Sequence, residues 1–298
     1  MPLFHKTHKF ILMGGVGNQL FGYFAALSFA IENSGPVILD LSEIKYGMTQ
    51  HNSSIESFAL ELPVLHPKRS KNFKRVSRLL IKLFGLVSRK FTFQPNEVGY
   101  IPNLERINAS RISGYFQTWK YFDYVKQSGN FNQLKLLNPS DWYLELSARA
   151  IATKPIMMHI RRGDYLKLEN SIGVLSDSYF EKALSLLPIE IQKKEIWIFT
   201  DSPDAIQEIV YRPIFSSAQI IIPPSGADPS ESLMLMSLGC ANIISNSTFS
   251  WWGAFLNSYS KITVAPSKWF KGLADPRDLI PTEWLKCESE WTIHESRF

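Results

Sequence analysis

The stretch "PIMMHIRRGDY" sets His159, Arg161, Arg162 and Asp164 directly behind an apolar run that reads as a buried strand. Open α/β sheets bind ligands at the carboxyl ends of their strands, so chemistry is expected there. Side chains alternate along a strand, which sends His159 and Arg161 to one face and Arg162 to the other. A guanidinium is planar and permanently charged, and it matches an oxygen-rich anion such as a diphosphate. A salt bridge from Arg161 to Asp164 would explain one arginine as a loop fastener. Two adjacent arginines against one aspartate leave a positive charge over, and that favours anion binding.

Two further junctions have the same form. In "EIWIFTDSPDA", Thr200, Asp201 and Ser202 end a strand and Pro203 opens a helix. Ser202 can cap that helix, or it can join Asp201 beside a nucleoside. In "NIISNSTFSWWGAFLN", a strand ending at Ile243 and Ile244 runs into Asn246, Ser247, Thr248, Phe249 and Ser250, and then into a helix through Trp251 and Trp252. A helix N-terminus with neighbouring hydroxyls is an anion site, and capping alone accounts for only one or two of these residues. The tryptophans, with Ala254, Phe255 and Leu256 behind them, read as core rather than as a sugar platform.

The N-terminal "GGVGNQLFGY" follows the strand-like "KFILM" and leads into helical spacing from Leu20 to Ile31, with "PVILD" as the next strand. This is the outline of a dinucleotide loop, in which Asp40 would hold a ribose. Against it, the third glycine of G-x-G-x-x-G falls on Leu20, and Asn18 and Gln19 add amides that phosphate binding does not require. A nicotinamide oxidoreductase and a tight strand-to-helix turn without ligand both remain open on these residues.

The sequence contains no Asp-x-Asp pair, no Cys/His metal spacing and no P-loop. An enzyme that expels a diphosphate without a metal must neutralise it with cationic side chains and helix N-termini. Both are at hand here.

The elements that would position these residues alternate along the whole chain: "KFILM", "PVILD", "PIMMHI", "EIWIFT", "AQIIIP", "ANIISN" and "KITVAP" are strand-like, with helical stretches between them. Such alternation predicts parallel sheets with helices on both faces. The 298 residues, 45% of them hydrophobic, allow two doubly wound domains, 1–150 and 151–298, with the junction between Asn138 and Pro155. Cys240 and Cys287 form no disulfide framework, which fits a reducing compartment. No apolar stretch reaches the roughly 18 residues of a membrane span. The N-terminus does not read as a cleavable signal, and a cytoplasmic location is expected.

The net charge of +5 is concentrated, with nine basic residues between Lys68 and Lys90 and no Asp or Glu between Glu61 and Glu97. A basic amphipathic helical insertion over about 66–92 is predicted, either resting on an anionic membrane surface through 68–90 or solvated over a core-packed face. No aromatic-interleaved basic motif accompanies it, so nucleic acid is not an expected partner.

"GGVGNQLFGY", "SGYFQTWKYFD", "HIRRGDY" and "NSTFSWWGA", in that order over some 240 residues, strongly resemble glycosyltransferase family 11, the bacterial-type α-1,2-fucosyltransferases. The resemblance implies a GT-B-like architecture of two Rossmann-like domains facing across a cleft. It implies GDP-β-L-fucose as donor substrate, a galactose-terminated oligosaccharide as acceptor, inversion at the anomeric carbon, and no cofactor or metal. By the same resemblance, Gly15, Gly17, Asn18, Gln19 and Gln117 line the acceptor side. His159 lies near the guanine, and Arg161 meets the β-phosphate with Arg162 and Asp164 around it. Ser247, Thr248 and Ser250 donate to the diphosphate, flanked by Asn246 and Phe249, and Asp201 and Ser202 lie near the nucleoside. Glu231 stands beside Ser232, where the family often has an acid. No general base is identified; Asp40 and Glu43 are the carboxylates near the N-terminal strand ends. A non-catalytic nucleotide- or sugar-binding module is the reading outside enzymology.

Overall fold

The computed structural model describes residues 6–33, 35–45, 54–66, 92–131, 133–260 and 262–292. The basic insertion expected over about 66–92 lies almost wholly outside the described residues. The chain divides into two compact units, Met1–Lys135 with Pro276–Leu279, and Leu136–Asp275 with Ile280–Phe298. The boundary expected at 150 falls inside a helix, and the division lies at Lys135–Leu136.

The first unit is built on β1 (His8–Ile11), β2 (Val37–Asp40), β3 (Val64–Leu65), β4 (Thr92–Phe93) and β5 (Arg111–Ser113). These form one parallel sheet in the order β3-β2-β1-β5-β4. Among its described residues, the helices of eight or more residues are α1 (Val16–Glu32) and α2 (Lys120–Gln127). A helix that buries residues all round its axis belongs inside a core, and α1 does so from Val16 to Phe29. Phe24 of α1 meets Phe122 and Phe131 edge-on, at centroid distances of 4.8 and 5.2 Å. Truncating such a ring costs about 3–5 kcal/mol.

The turn into α1 uses its glycines unequally. Gly14 has φ +69°, a conformation that favours glycine, and a Cβ there would meet Asn18. Leu20, at the third-glycine position, is fully buried, and the close approach falls two residues later, where a Cβ on Gly22 would lie 2.7 Å from Leu12.

The second unit holds β6 (Ile156–Ile160), β7 (Ile196–Thr200), β8 (Ala218–Ile220), β9 (Ala241–Ile243), β10 (Thr263–Pro266) and β11 (Leu285–Cys287), all parallel, in the order β11-β10-β9-β6-β7-β8. That is the doubly wound Rossmann order, with its reversal between β6 and β9. Its helices of eight or more residues are α3 (Asp141–Thr153), α4 (Asp177–Ser185), α5 (Pro229–Met236) and α6 (Thr248–Phe255).

All five residues of β6 are buried, as a parallel strand covered on both faces requires. Ile156, Met158 and Ile160 pack with Tyr179 and Phe180 of α4, and Met157 packs on the other face with Trp197, Phe199 and Leu235. Trp251 and Trp252 are fully buried, and Trp251 stacks on Phe255, so they are core as the sequence suggests. Both cysteines are free. Among the described residues, no helix is long and apolar enough to cross a membrane.

Candidate active site

The carboxyl ends of β6 and β9 meet at the reversal of strand order, and this is where His159, Arg161 and the residues around Asn246 come together. Nδ1 of His159 lies 2.7 Å from Oγ of Ser245, and its ring is 5.4 Å from that of Phe249. His159 is buried; its burial, and then the charge of Arg161, push its pKa down to about 3. The imidazole is therefore neutral and uncharged at working pH.

Arg161 leaves the same strand edge on the same side. Its Nε stands 3.1 Å from Oδ2 of Asp201, and its guanidinium carbon is 5.2 Å from the ring centroid of Tyr165. The carboxylate seen beside Arg161 is that of Asp201, at the end of β7. Asp164 opens a short 3-10 helix, Asp164–Leu168, and its side chain lies outside the described residues.

The loop after β6 is fastened to the loop after β7. Oδ1 of Asp201 accepts from the Arg162 N–H at 3.0 Å, and Oγ of Ser202 accepts from the Gly163 N–H at 3.2 Å. Pro203 does open a 3-10 helix, Pro203–Ile206, but the Ser202 side chain does not cap it. Gly163 has no space for a side chain, because a Cβ there would stand 2.0 Å from Oδ2 of Asp201.

Arg162 points to the other face, as alternation requires. It is buried, with Nη1 donating to the Leu175 carbonyl at 2.6 Å and Nη2 to Asp177 at 2.9 Å. Asp177 and Glu181 are also bound by Arg212, so this guanidinium belongs to an ion-pair network at the start of α4.

The run at the end of β9 divides into two groups. Asn246 is buried and donates through Nδ2 to the carbonyls of Ile172 and Gly173, and the Ser250 hydroxyl donates to those of Ser245 and Ser247. Ser247 is the N-cap residue of α6, yet its side chain makes no capping hydrogen bond. The leading N–H groups of a helix have no carbonyl partner within it, and Thr248 and Phe249, both half-buried, lie there. Glu231 takes no part; its carboxylate accepts from the N–H and the hydroxyl of Ser140.

In the first unit the glycine loop also sits at a reversal, between β1 and β5. Gln117 donates to Oδ1 of Asn18 at 2.8 Å, bringing together the two amides expected on the acceptor side. Gly15 and Gly17 lie in the same turn, where Gly15 precedes α1 and Gly17 is in its first turn. Gln19 turns inward instead. It is fully buried, with Nε2 donating to the Gly14 carbonyl and Oε1 accepting from the N–H groups of Ser54 and Ile55. Asp40 is likewise buried and bound by the Ser42 N–H and by Arg111.

Two members of this arrangement carried no role in the sequence reading. Tyr165 closes the quoted motif, and its hydroxyl donates to the Asn246 carbonyl at 3.3 Å. Ser245 is one residue before the quoted polar run, and its strand-end position beside β6 is the signal that marks it. Among the described residues, no group of three or more His, Cys, Asp or Glu side chains is placed to hold a metal.

Comparison with known proteins identifies the family. The family model described as glycosyl transferase family 11 matches residues 113–287, more than half of the chain. An α-1,2-colitosyltransferase of Escherichia coli is 25% identical over 289 residues, covering 93% of this chain and 97% of that protein. The O-antigen biosynthesis glycosyltransferase WbnK, also of Escherichia coli, is 28% identical over 295 residues, with 88% and 94% covered. Among solved structures, the fucosyltransferase NodZ from Bradyrhizobium superposes with a TM-score of 0.50 at 14% identity, covering 85% of this chain and 92% of that one, so the two share a fold. With two Rossmann-like units of the GT-B kind and this motif set, the chain belongs to glycosyl transferase family 11.

Proposed function

We propose that this chain is an inverting, metal-independent α-1,2-fucosyltransferase that moves L-fucose from GDP-β-L-fucose to a galactoside hydroxyl of a glycan. The observation that carries the reading is the placement of Arg161 at the β6–β9 reversal, fixed by Asp201 and Tyr165, with the uncapped start of α6 nearby in the chain's own fold. In this reading Arg161 meets the β-phosphate, the N–H groups of Thr248 and Phe249 add to the anion site, and neutral His159 borders the guanine. Charge builds on the departing diphosphate as the acceptor hydroxyl attacks the opposite face of the anomeric carbon. Stabilisation of that charge by prearranged donors supplies most of the catalysis.

Arg162, Asn246, Ser250 and Asp201 act in this reading by holding the loops in place, because their polar atoms are already engaged within the protein. Asn18 and Gln117 face the acceptor. Asp40 is not assigned as a base, since both its oxygens are bound. With the family known, the nicotinamide reading of the glycine loop and the reading as a non-catalytic module both lapse.

The relative named as a colitosyltransferase supports a second donor, a GDP-linked colitosyl group, on the same site. An acceptor screen decides. The protein is incubated with GDP-fucose or GDP-colitose and galactose-terminated oligosaccharides, and the linkage of each product is determined. An α-1,2-linked fucosyl product is expected. Transfer from the colitosyl donor alone would replace the donor, and no transfer from either would overturn the proposal.

The nine basic residues between Lys68 and Lys90 support a peripheral contact with anionic membrane from the cytoplasmic side. Salt-sensitive flotation with anionic vesicles is expected; indifference to lipid charge would remove that contact.

A further inference from the structure

The loop that carries Arg161 also holds an aromatic residue whose geometry is unusually committed. The ring of Tyr165 lies beneath the Arg161 guanidinium at 5.2 Å from centroid to Cζ, while its hydroxyl is tied to the Asn246 carbonyl at the end of β9. Asp201, at the end of β7, faces Nε of Arg161 at 3.1 Å. The guanidinium is therefore approached by groups tied to both strand ends that flank β6, by the Asp201 carboxylate at Nε and by the Tyr165 ring beneath its central carbon.

We infer that Tyr165 is a positioning residue, which fixes the plane of the Arg161 guanidinium for the diphosphate. The inference rests on the reading that Arg161 meets the β-phosphate of the donor. Arginine is long and rotamer-rich, and a donor contributes fully to catalysis only when it needs no reorganisation as charge develops. The carboxylate of Asp201 fixes one edge but leaves rotation of the plane about that contact. The face of an aromatic ring attracts the cation through its quadrupole without engaging any N–H group. A second carboxylate would hold the plane as well, but it would compete with the phosphate for donors and cancel charge. The Asn246 bond in turn fixes the ring against the strand end that leads into α6.

The test uses the preference for GDP over GMP, which isolates the β-phosphate and needs neither acceptor nor turnover. Affinities for both nucleotides are measured by calorimetry on wild type, Arg161→Ala, Tyr165→Leu, Tyr165→Phe and the double variant Arg161→Ala/Tyr165→Leu, with melting temperature recorded for each. Tyr165→Leu is expected to lower the GDP-over-GMP preference by about 5- to 30-fold, the range of a partly desolvated cation–π contact. Tyr165→Phe keeps the ring and is expected to lose no more than about threefold. The double variant should fall no further than Arg161→Ala, since residues that act through one another are not additive. If Arg161→Ala lowers the preference but Tyr165→Leu leaves it at the wild-type value, or if the two losses simply add, the positioning role is overturned. A drop in melting temperature with the preference intact overturns it equally, as a purely structural role. If Arg161→Ala itself leaves the preference unchanged, the donor reading fails instead.

Discussion

Nδ1 of His159 and Oγ of Ser245 lie 2.7 Å apart across the seam between β6 and β9, where the strand order of the second unit reverses. The bond joins the strand ends that lead to Arg161 and to the run from Asn246 to Ser250, and it does so with a buried ring that stays neutral.

That neutrality sets a pH dependence. The folded pKa of His159 is lowered to about 3, by burial first and then by Arg161, whereas an unfolded histidine titrates near ~6.5. Between these values the unfolded chain holds the extra proton, so stability rises with pH across that window and is lost as pH falls through it. Above about pH 6.5 the contribution is complete. Melting temperature measured from pH 7 to pH 5 should therefore fall more steeply for wild type than for His159→Gln. Parallel curves would show that the ring is not held neutral.

Loss of Arg161 should be felt in turnover. Arg161→Ala is expected to lower kcat by on the order of 10²–10³-fold, as for loss of a transition-state donor. Arg161→Lys should recover little, because an ammonium cannot reproduce the planar fork. If Arg161 is instead only the salt-bridge partner of Asp201, Arg161→Ala and Asp201→Ala would lower melting temperature alike while GDP affinity stayed near normal. Turnover, affinity and melting temperature on the same variants separate the two accounts.

Gly163 should tolerate no side chain. A methyl group in the observed backbone would stand 2.0 Å from Asp201, so the carboxylate or the loop must move, and the Arg162 N–H would lose its acceptor. Gly163→Ala is expected to destabilise by about 1–3 kcal/mol, the range for a buried donor left unpaired. It should also displace Arg161 and lower kcat by at least about tenfold, as misplacement of a positioned group does. Normal turnover and melting temperature in Gly163→Ala would show that Asp201 is not the clamp of this loop.

Activity should persist in excess chelator, because a guanidinium and a helix N-terminus can supply the neutralisation that a divalent ion supplies elsewhere. Inactivation by EDTA that Mg²⁺ or Mn²⁺ reverses is the result that would sink the metal-free mechanism.

Much of this architecture is legible in the sequence. Runs such as "PIMMHI" and "EIWIFT" are long and apolar enough to declare themselves as strands buried on both faces, and they are β6 and β7. β5 and β11 are not legible, since each has three residues and a single buried apolar side chain, Ile112 in β5 and Cys287 in β11. Their pairing is a matter of backbone bonds to β1 and β10, which side-chain periodicity does not report.

The site shows the same limit. Asp201 stands beside Arg161, yet it is delivered by the end of β7 from much further along the chain. Gln19 reads as a polar group at a loop, yet its place in the first turn of α1 directs it to the backbone of Ser54 and Ile55. Both outcomes depend on which strand or loop lies alongside, and that is decided by tertiary pairing rather than by local residue type.

The segment Pro276–Leu279 belongs to the first unit although the second unit flanks it in the chain. It is fastened there, with Asp278 accepting from Lys120 at 2.6 Å and its carbonyl from the Thr118 hydroxyl at 2.9 Å, while Arg277 bridges Gly99. Modular exchange among family members therefore cannot follow a single splice. A chimera that takes its second unit from another member needs three junctions, after 135, after 275 and after 279, and a two-piece gene fusion would graft a foreign fastening into the first unit.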